Sequence, residues 1–407
     1  MRCSFIMPLR STLLTLFLAM TGMQAAARDT FTGDWDGLRP WLSEKGVDVQ
    51  VTYSGSFTSH LSGGFRTGTD WQGLLDVALE FDLEKLAGWK NTLFHAEGLW
   101  VQGNDPSSEY IGNFDEVSGI AGVATIRPYQ FWLQRQFYQD KLTLKAGWVT
   151  LDTDFMMSNG ANLFTNASFG PPLQSWNGNF TAPVYPVAAL GMFVEWKPDE
   201  KHELQLGLYD GDSGGERGNL HTSNTRTGSD DGVAILLEGA REHTVAGLPG
   251  TLKLGAGYNT GLTTVNATGN LIHGNGGAYL ILDQTLLAGR GDKAPDRLAF
   301  FTRLGCDPWG DRSVVDHSID AGLTGRGLRD VDTWGVAVTS THFSPSYVSA
   351  TFASGGFSTR RETAVEVTYK AQCTPWMALQ PTFQYIMQPQ DGTPDATVLG
   401  VLLTLTF

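Results

Sequence analysis

The sequence has few charged residues and no long apolar run. Charged side chains make up 17% of the 407 residues, and no stretch after the amino-terminal segment approaches the ~18 apolar residues of a membrane-spanning helix. The protein could therefore be integral to a membrane only by crossing it with strands that close into a barrel. A Gly-flanked Ser elbow, a His-Glu-x-x-His pair and a phosphate-binding loop are also missing, so little in the sequence supports an enzyme.

Positive charge and cysteine are also scarce. The formal net charge is −14, which argues against nucleic acid, because phosphates are bound by Lys and Arg. Of the three cysteines, Cys3 lies in the amino-terminal segment described next. The other two, Cys306 and Cys373, could pair in an oxidising compartment. The topology derived below places them at opposite ends of a barrel, so two free thiols are expected.

The first residues have the pattern of a secretory signal peptide. Arg2 and Arg10 supply the positive end, residues 13–20 the apolar run, and three consecutive alanines at 25–27 the cleavage site. We expect a signal peptide at 1–27 and a mature chain that begins near residue 28. Loss of the two arginines takes the net charge from −14 to −16.

From residue 47 onward the apolar residues recur with a period of two. Residues 47–58 and 71–82 each place Val, Leu and aromatic side chains on one face and polar side chains on the other. In a soluble β-sandwich this pattern puts the apolar face inside. In a transmembrane barrel the apolar face meets lipid and the polar face meets a wet lumen. Periodicity alone leaves both folds open.

Connection lengths favour the barrel. Similar patterns give about sixteen strands, an even number as single-chain bacterial barrels require. The connections alternate between long and short, which matches outer loops and periplasmic turns and has no reason to occur in a sandwich. A propeller would show a repeat of about 40 to 50 residues, and none is found. We predict an all-β fold, a 16-stranded antiparallel transmembrane β-barrel over 47–407. The predicted long connections are 59–69, 103–128, 151–186, 211–231, 260–276, 306–316, 344–361 and 388–396.

In the last predicted strand, 396–407, residues of two faces alternate up to the aromatic residue Phe407. About ten residues of this pattern suffice for a tilted strand to cross a bilayer. A closed sheet needs a partner for this strand across the seam, and 47–58 has matching alternation. We expect the two segments to pair and Phe407 to lie at the periplasmic interface.

The segment before the first strand, 28–46, reads as a short helix. Asp34 or Asp36 can cap its start, and Gly46 can end it in a left-handed conformation. We expect it on the periplasmic side or tucked into the mouth of the barrel, as a packing segment without a ligand role.

The longest connection, 151–186, is rich in Gly, Asn and aromatic residues. A loop of this length in a compact domain is usually functional or disordered, and its aromatic content argues against disorder. We expect it to fold into the lumen as a constriction. The alternative is an ordered cap on the surface, where loops commonly stay.

Several sequence blocks occur in order along nearly the whole mature chain. They are Gly33-Asp34-Trp35-Asp36-Gly37-Leu38-Arg39, Leu99-Trp100-Val101-Gln102-Gly103, Phe131-Trp132-Leu133-Gln134, Leu142-Thr143-Leu144-Lys145-Ala146-Gly147, Leu208-Tyr209-Asp210-Gly211 and Thr374-Pro375-Trp376-Met377-Ala378-Leu379-Gln380-Pro381. With these blocks the chain resembles the carbohydrate-selective outer-membrane porins of the OprB type. The resemblance implies a sixteen-stranded barrel that lets sugars diffuse inward through a narrowed channel lined by charged and aromatic side chains.

Strand parity selects the candidate residues of such a channel, because a charged side chain on the lipid face is costly. A sugar channel needs hydrogen-bonding groups and aromatic faces that bind weakly enough to release. The predicted substrate-contacting and pore-lining residues are His95, Glu97, Trp132, Gln134, Lys145, Trp176, Glu195, Asp283, Arg303 and Glu366. Parity also turns Gln136, Glu203, Gln205, Glu238, Lys253, Asp320, Gln380 and Gln384 inward. Any of these side chains could instead simply hydrate the wall.

Two tryptophans are singled out. Trp132 faces inward between the lipid-facing Phe131 and Leu133, and we predict that it stacks on a sugar ring. Trp176, on the long loop, would supply the opposite face. In the alternative interpretation Trp132 packs against the loop and holds it in place, since aromatic residues dominate packing energetics.

These observations predict passive diffusion of mono- and oligosaccharides through the outer membrane of a Gram-negative bacterium. The expected partners are sugars and outer-membrane lipid, without nucleic acid, cofactor or metal. The acidic segment 210–216 misses the spacing of a calcium loop, and the histidines lack ligand spacing. Composition fits either a monomer or a homotrimer. An outer-membrane barrel enzyme and a secreted all-β carbohydrate-binding lectin are the alternatives.

Overall fold

The computed structural model describes residues 29–407 except 219, 222, 223, 225–227, 229, 290–295, 357, 358, 390 and 391, and it describes no side chain at 216 or 217. The predicted signal peptide, 1–27, lies outside the described residues.

The described chain forms one closed antiparallel barrel of sixteen strands, each paired with its neighbours in the sequence. This confirms the predicted fold class. The strands are β1 (Val47–Ser62), β2 (Gly68–Asp82), β3 (Thr92–Gly103), β4 (Thr125–Phe137), β5 (Leu142–Val149), β6 (Ala189–Trp196), β7 (His202–Asp210), β8 (Val233–Val245), β9 (Leu248–Thr264), β10 (Leu271–Leu287), β11 (Leu298–Cys306), β12 (Val315–Arg326), β13 (Thr333–Phe343), β14 (Arg361–Thr374), β15 (Met377–Met387) and β16 (Ala396–Thr406).

The period-two pattern determines which face of each strand is apolar. In β2, Trp71 and Val77 are exposed on the outer surface, whereas Gln72 and Ala78 are buried on the inner one. Exposed apolar side chains recur around the outside as far as β16, where Leu399 is one example. A wall that is apolar outside suits lipid, whereas a soluble sandwich would bury these side chains. The sandwich interpretation is therefore wrong.

The barrel closes at the predicted seam. β16 pairs with β1 from Thr52 and Thr406 to Ser62 and Thr397, with a register shift after His60. The matching alternation of the two segments lets their apolar side chains share the outer face, as register in a one-sided sheet requires.

The connections at the two ends of the barrel differ in length. We call the end at which β1 finishes the loop rim and the end at which β1 begins the turn rim. The loop rim carries 63–67, 104–124, 150–188, 211–232, 265–270, 307–314, 344–360 and 388–395, and the turn rim carries 83–91, 138–141, 197–201, 246–247, 288–297, 327–332 and 375–376. The longest connections lie at the loop rim, as predicted, but 83–91 and 288–297 at the turn rim are longer than 63–67 and 265–270 at the loop rim. The predicted loops 59–69 and 260–276 are shorter than expected because β1, β2, β9 and β10 extend into them.

The helices are short and lie outside the sheet. They are α1 (Leu38–Glu44), α2 (Leu83–Ala87), α3 (Gln174–Asn177), α4 (Gly215–Gly218) and α5 (Pro345–Ala353), with single 3-10 turns at Leu151–Thr153, Ala161–Leu163 and Ala167–Phe169 and a π turn at Ser107–Ile111. None of the helices in the described ranges is both long and apolar enough to cross a membrane.

The helix predicted before the first strand is present as α1, but its predicted cap is wrong. Gly37, at φ 87°, precedes α1 and no side chain caps the helix. Trp35 and Asp36 also have positive φ, so a left-handed turn leads into the helix and no carboxylate accepts its first N–H groups. Gly46, at φ 92°, follows the helix in the left-handed conformation that was predicted.

The segment around α1 is fastened to the seam at the turn rim. Arg39 Nη2 donates to the carbonyl oxygens of Phe407, at 2.6 Å, and Val49, at 3.2 Å. The Phe31 amide donates to Thr406 O at 2.7 Å, and the Phe31 ring lies 5.5 Å from that of Phe407. Arg39 therefore bridges the first and last strands.

The two remaining cysteines are unpaired, as predicted. Cys306 ends β11 at the loop rim, and Cys373 lies one residue from the end of β14 at the turn rim.

Replacing Arg39 with Ala should weaken the seam. Hydrogen bonds to a charged group typically contribute about 1.5–3 kcal/mol, and the partial exposure of Arg39 places the expected loss at the lower end. The measurement is the temperature at which the folded, fast-migrating band of detergent-extracted protein disappears in gel electrophoresis. Lys45→Ala, which removes an exposed positive charge beside α1, is the control. Equal midpoints for Arg39→Ala and Lys45→Ala would contradict the bridging role.

Candidate functional site

The long loop predicted to enter the lumen lies inside the barrel. Six apolar side chains of this loop, which spans 150–188, are buried in one cluster with the wall, and Phe155 and Leu173 are completely buried. The packed loop residues are Leu151, Phe155, Met156, Leu173, Trp176 and Ala182, and their wall partners include Val149, Phe193, Tyr209, Leu236, Tyr279 and Ile281. Burial of each large side chain contributes about 1.5–3 kcal/mol, so the loop is part of the core and does not form a surface cap.

Asp283, on β10, holds the middle of this loop. Its carboxylate accepts hydrogen bonds from Ser158 Oγ at 2.8 Å, from the Gly160 amide at 3.1 Å and from the Asn159 amide at 3.3 Å. Backbone N–H groups inside a barrel need partners as much as those in a protein core. Asp283 therefore satisfies loop backbone groups and is not simply a charge that faces water.

Glu366, on β14, holds the next part of the loop in the same way. It is fully buried and accepts from the amides of Thr165, at 2.9 Å, and Asn166, at 2.8 Å, and from the Thr382 hydroxyl at 3.0 Å. Gln380 on β15 donates to Leu163 O at 2.6 Å. The wall thus binds the loop through both N–H and C=O groups.

Arg303, on β11, is the positive counterpart of these carboxylates. It is fully buried, pairs with Asp320 on β12 at 2.7 Å, and donates to the carbonyl oxygens of Gly170, at 3.0 Å, and Ser168. The Asp320 partner keeps the guanidinium charge compensated while its other N–H groups bind the loop.

Lys145, on β5, is also engaged by the loop. Its ammonium lies 2.6 Å from a carboxylate oxygen of Asp154, and its side chain is 6% exposed. Glu238 on β8, which the sequence indicated only as an inward residue, accepts from the Met156 amide at 3.0 Å and pairs with Lys253 at 3.1 Å. The charge of Lys145 is therefore neutralised where it meets the loop.

Four predicted pore-lining residues are thus loop anchors: Lys145, Asp283, Arg303 and Glu366. Their inward direction agrees with the parity prediction. The inserted loop buries Lys145, Arg303 and Glu366 almost completely, whereas Asp283 stays half-buried. Parity identifies the face of a strand, but it cannot say whether water or another part of the chain lies against that face.

The indole ring of Trp132, on β4, contacts one side chain from each of the two neighbouring strands. The His95 ring on β3 is stacked on it, with 4.5 Å between centroids and an interplanar angle of 6°. Lys145 Nζ on β5 lies 5.3 Å from its centroid. The half-buried indole also packs against the loop cluster, which favours the packing interpretation and leaves its edge, not its faces, toward the lumen.

Trp176 lies in the core and has no open face. It is 2% exposed, its ring is stacked 4.5 Å from that of Phe180, and Tyr279 meets it edge-on at 5.9 Å. Gly257 on β9 leaves room for it, since a Cβ there would lie 2.3 Å from the indole. The prediction that Trp176 offers a stacking face is therefore not supported.

A cluster of polar side chains that the loop anchors do not include is found on β2, β3 and β4. Gln130 Nε2 donates to Glu97 Oε2 at 2.9 Å, and His95 Nε2 lies 3.3 Å from the same oxygen. Glu80, 32% exposed, lies 3.7 Å from His95 Nδ1, and Asp76 lies beside Glu97. We call Asp76, Glu80, His95, Glu97 and Gln130 the acceptor patch.

Gln130 shares the parity of Trp132 and Gln134 but was not selected from the sequence, and β4 contains a bulge beside it that turns Tyr129 inward as well. The register between β3 and β4 shifts between Ala96 and Gly98, and the consecutive residues Tyr129 and Gln130 are both buried. Two adjacent inward side chains are the signature of such a bulge. Gln134, further along β4, is half-buried and pairs with Lys145 on β5.

Glu195, on β6, lies near the turn rim. Its carboxylate is 2.9 Å from Lys197 Nζ, which also lies 3.5 Å from Glu203, and Thr143 Oγ1 donates to it at 3.4 Å. Both carboxylates remain partly exposed, with Glu195 at 18% and Glu203 at 26%, and the pore-lining role of Glu195 stays a prediction.

A second loop, 104–124, also folds inward, which the sequence analysis did not predict. Glu362 on β14 accepts from the Phe114 amide at 2.9 Å and the Asp115 amide at 2.7 Å. The two inserted loops are joined by backbone hydrogen bonds, including that from the Gly119 amide to Thr165 O at 2.8 Å. The inward parity of Glu362, four residues before Glu366, was the available signal.

The inserted loops divide the lumen into two cavities. One, of about 1160 Å³, opens toward the loop rim and is lined by 164–167 of the long loop. The other, of about 910 Å³, opens toward the turn rim and is lined by 159, 160, 162 and 163. Residues 159–167 are therefore the partition between them. In the described part of the chain, no three His, Cys, Asp or Glu side chains are placed to hold a metal ion.

Comparison with known proteins identifies the family. Porin B of Pseudomonas aeruginosa is 26% identical over 421 aligned residues, which cover 92% of this chain and 90% of that protein. The putative porin QuiX of Acinetobacter baylyi is 25% identical, covering 93% of each. A high-pH structure of OprB from Pseudomonas putida superposes with a TM-score of 0.84 at 23% identity, over 95% of this chain and all of that one. The model of the carbohydrate-selective porin, OprB family, matches residues 67–407. The chain belongs to this family of carbohydrate-selective porins, and its place is the bacterial outer membrane.

Proposed function

We propose that sugars cross this barrel by passive diffusion past the partition at 159–167, with the loop rim facing the medium and the turn rim the periplasm. The observation that carries the proposal is the pair of cavities that meet at an inserted and firmly anchored loop. A porin of this family is a channel rather than an enzyme. We infer further that no bond of the sugar is made or broken on the way.

The residues proposed to contact the sugar are predicted pore-lining residues that do not anchor an inserted loop. His95, Glu97 and Gln134, joined by Gln130, offer hydrogen-bonding groups that can replace water on hydroxyls, and the edge of Trp132 offers an apolar surface beside them. Glu195 would act later, near the periplasmic end. Such sites must be weak and several in number, because tight binding would stop conduction.

The remaining predicted residues would act through the loop. Asp283, Arg303, Glu366 and Lys145 set the position of the partition and so the width of the path. Trp176 would hold the end of the loop against β9 and β10. The apolar outer wall would allow three copies to associate, and a homotrimer stays a possibility beside a monomer.

Reconstituted protein should raise the conductance of a planar lipid bilayer, and added monosaccharide should reduce that current because the solute occupies the path. Sugar recovered after transport into liposomes should be chemically unchanged, which separates a channel from a barrel enzyme. Absence of conductance from correctly folded, heat-modifiable protein would contradict the proposal.

Trp132→Ala should lower the current block by sugar while the open conductance holds or rises, because it removes the apolar edge and releases the His95 ring. Trp132→Phe, which keeps a ring for His95 to stack on, is the matched variant and should retain more of the block. If Trp132→Ala leaves the block unchanged, Trp132 has only a packing role.

Glu366→Gln should raise the single-channel conductance and its noise. The amide keeps one acceptor but turns N–H donors toward the loop amides, and an unsatisfied buried group costs about 1–3 kcal/mol. Val367→Ala, on the outer face of the same strand, is the control and should conduct as the unmodified protein does. A Glu366→Gln channel with unchanged conductance would show that this residue does not hold the partition.

A further inference from the structure

The acceptor patch contains more hydrogen-bond acceptors than donors. Asp76, Glu80 and Glu97 contribute carboxylates, while the donors are the Gln130 amide, used on Glu97, and the His95 ring. The residues converge because β2 and β3 pair Glu80 with His95 and Ala78 with Glu97. Gln130 on β4 lies beside them and donates to Glu97 at 2.9 Å.

One acceptor of the patch has no hydrogen-bond partner in the described ranges of the chain. Gln130 is 5% exposed, and its Oε1 accepts no hydrogen bond. Asp76 instead shares a side-chain hydrogen bond with Glu97. A buried polar atom without a partner is costly, so Gln130 Oε1 requires a donor that no described side chain provides. No set of side chains here is placed to hold a metal ion, which leaves water or a solute N–H or O–H as the donor.

Two inward cations of the wall are already paired with other carboxylates. Lys145, on β5, pairs with Asp154 at 2.6 Å, and Arg303, across the barrel on β11, pairs with Asp320 at 2.7 Å. Both are almost completely buried. A charge that is paired and removed from water contributes little to the field felt by a passing solute.

The loop-rim cavity has the same sign of charge as the patch. Among its described lining residues are four carboxylates and no lysine or arginine: Asp105, Glu109, Glu116 and Asp152. Glu109 is paired with Arg66 at 3.3 Å. Clefts lined by one sign of charge concentrate solutes of the opposite sign.

We propose that the acceptor patch makes the channel select sugars by charge, favouring those that donate hydrogen bonds and carry positive charge. Amino sugars should pass most readily, neutral sugars next and acidic sugars least. This inference rests on the proposed sugar diffusion and adds its substrate class. Small ions should follow the same order, so the open channel should prefer cations.

The test compares glucosamine, glucose and glucuronate, which are similar in size, as radiolabelled solutes entering proteoliposomes at neutral pH. The unmodified channel should admit glucosamine faster than glucuronate. Glu97→Gln and Glu80→Gln each remove one charge at nearly constant shape, and each should lower that rate ratio about twofold, as expected for a unit charge several ångströms from a wet path. The zero-current potential in a KCl gradient should move toward zero in both variants.

Glu44→Gln, which removes an exposed charge on α1 outside the lumen, is the control and should leave the ratio and the potential unchanged. Glu80→Gln guards against a folding defect, because Glu80 is partly exposed and its nearest described ionic partner is 3.7 Å away. Equal entry of glucosamine and glucuronate, or ratios unaffected by both patch variants, would overturn charge selection while glucose still enters. Failure of all three sugars to enter would instead overturn the sugar diffusion itself.

Discussion

The structure depends on hydrogen bonds to the backbone N–H and C=O groups of the loops that lie inside the barrel. A loop that enters a membrane-spanning barrel brings N–H and C=O groups to a depth where lipid offers them nothing, so the wall or water must bind them. Here the wall does so with charged side chains. Asp283 and Glu366 bind loop amides, and Arg303 binds loop carbonyls. Each charge is fixed in turn by further hydrogen bonds or by an ion pair.

This arrangement separates two uses of charge. Side chains that hold the loops are buried and compensated, as Arg303 is by Asp320. The side chains that we propose meet the solute belong to β2, β3 and β4 and to the turn-rim end of β6. In this proposal the anchors set the shape of the path, and carboxylates such as Glu97 and Glu195 set its electrostatics.

Much of the fold could be predicted from the sequence because it follows from local regularities. A period of two fixes the inner and outer faces of each strand, and the matched patterns of 47–58 and 396–407 identified the seam. The inward direction of Asp283, Arg303 and Glu366 was predicted for the same reason. Strand ends were less certain, since β9 and β10 continue well past their recognisable alternation.

The candidate site was less predictable because it depends on which part of the chain covers which part of the wall. Nothing in the parity of Glu366 indicates that Thr165 and Asn166, 200 and more residues away, will occupy its carboxylate. The aromatic ring of Trp176 suits contact with a sugar and packing in a hydrophobic core equally. Packing is possible because Gly257 has no side chain and so leaves room for the indole. The bulge that buries Tyr129 next to Gln130 interrupts the period of two, so the alternation could not reveal it.

The distribution of the anchors explains how a loop can be both irregular and stiff. Attachments to β5, β8, β10, β11 and β14 surround the long loop on most sides of the barrel, and the second loop braces it from the rim. Loss of one attachment leaves the others, so displacement of the partition costs several bonds at once. A stiff partition allows each sugar contact to remain weak without the path changing its width. Selection by shape and release by weak binding are thereby compatible, which is the condition for conduction through a selective channel.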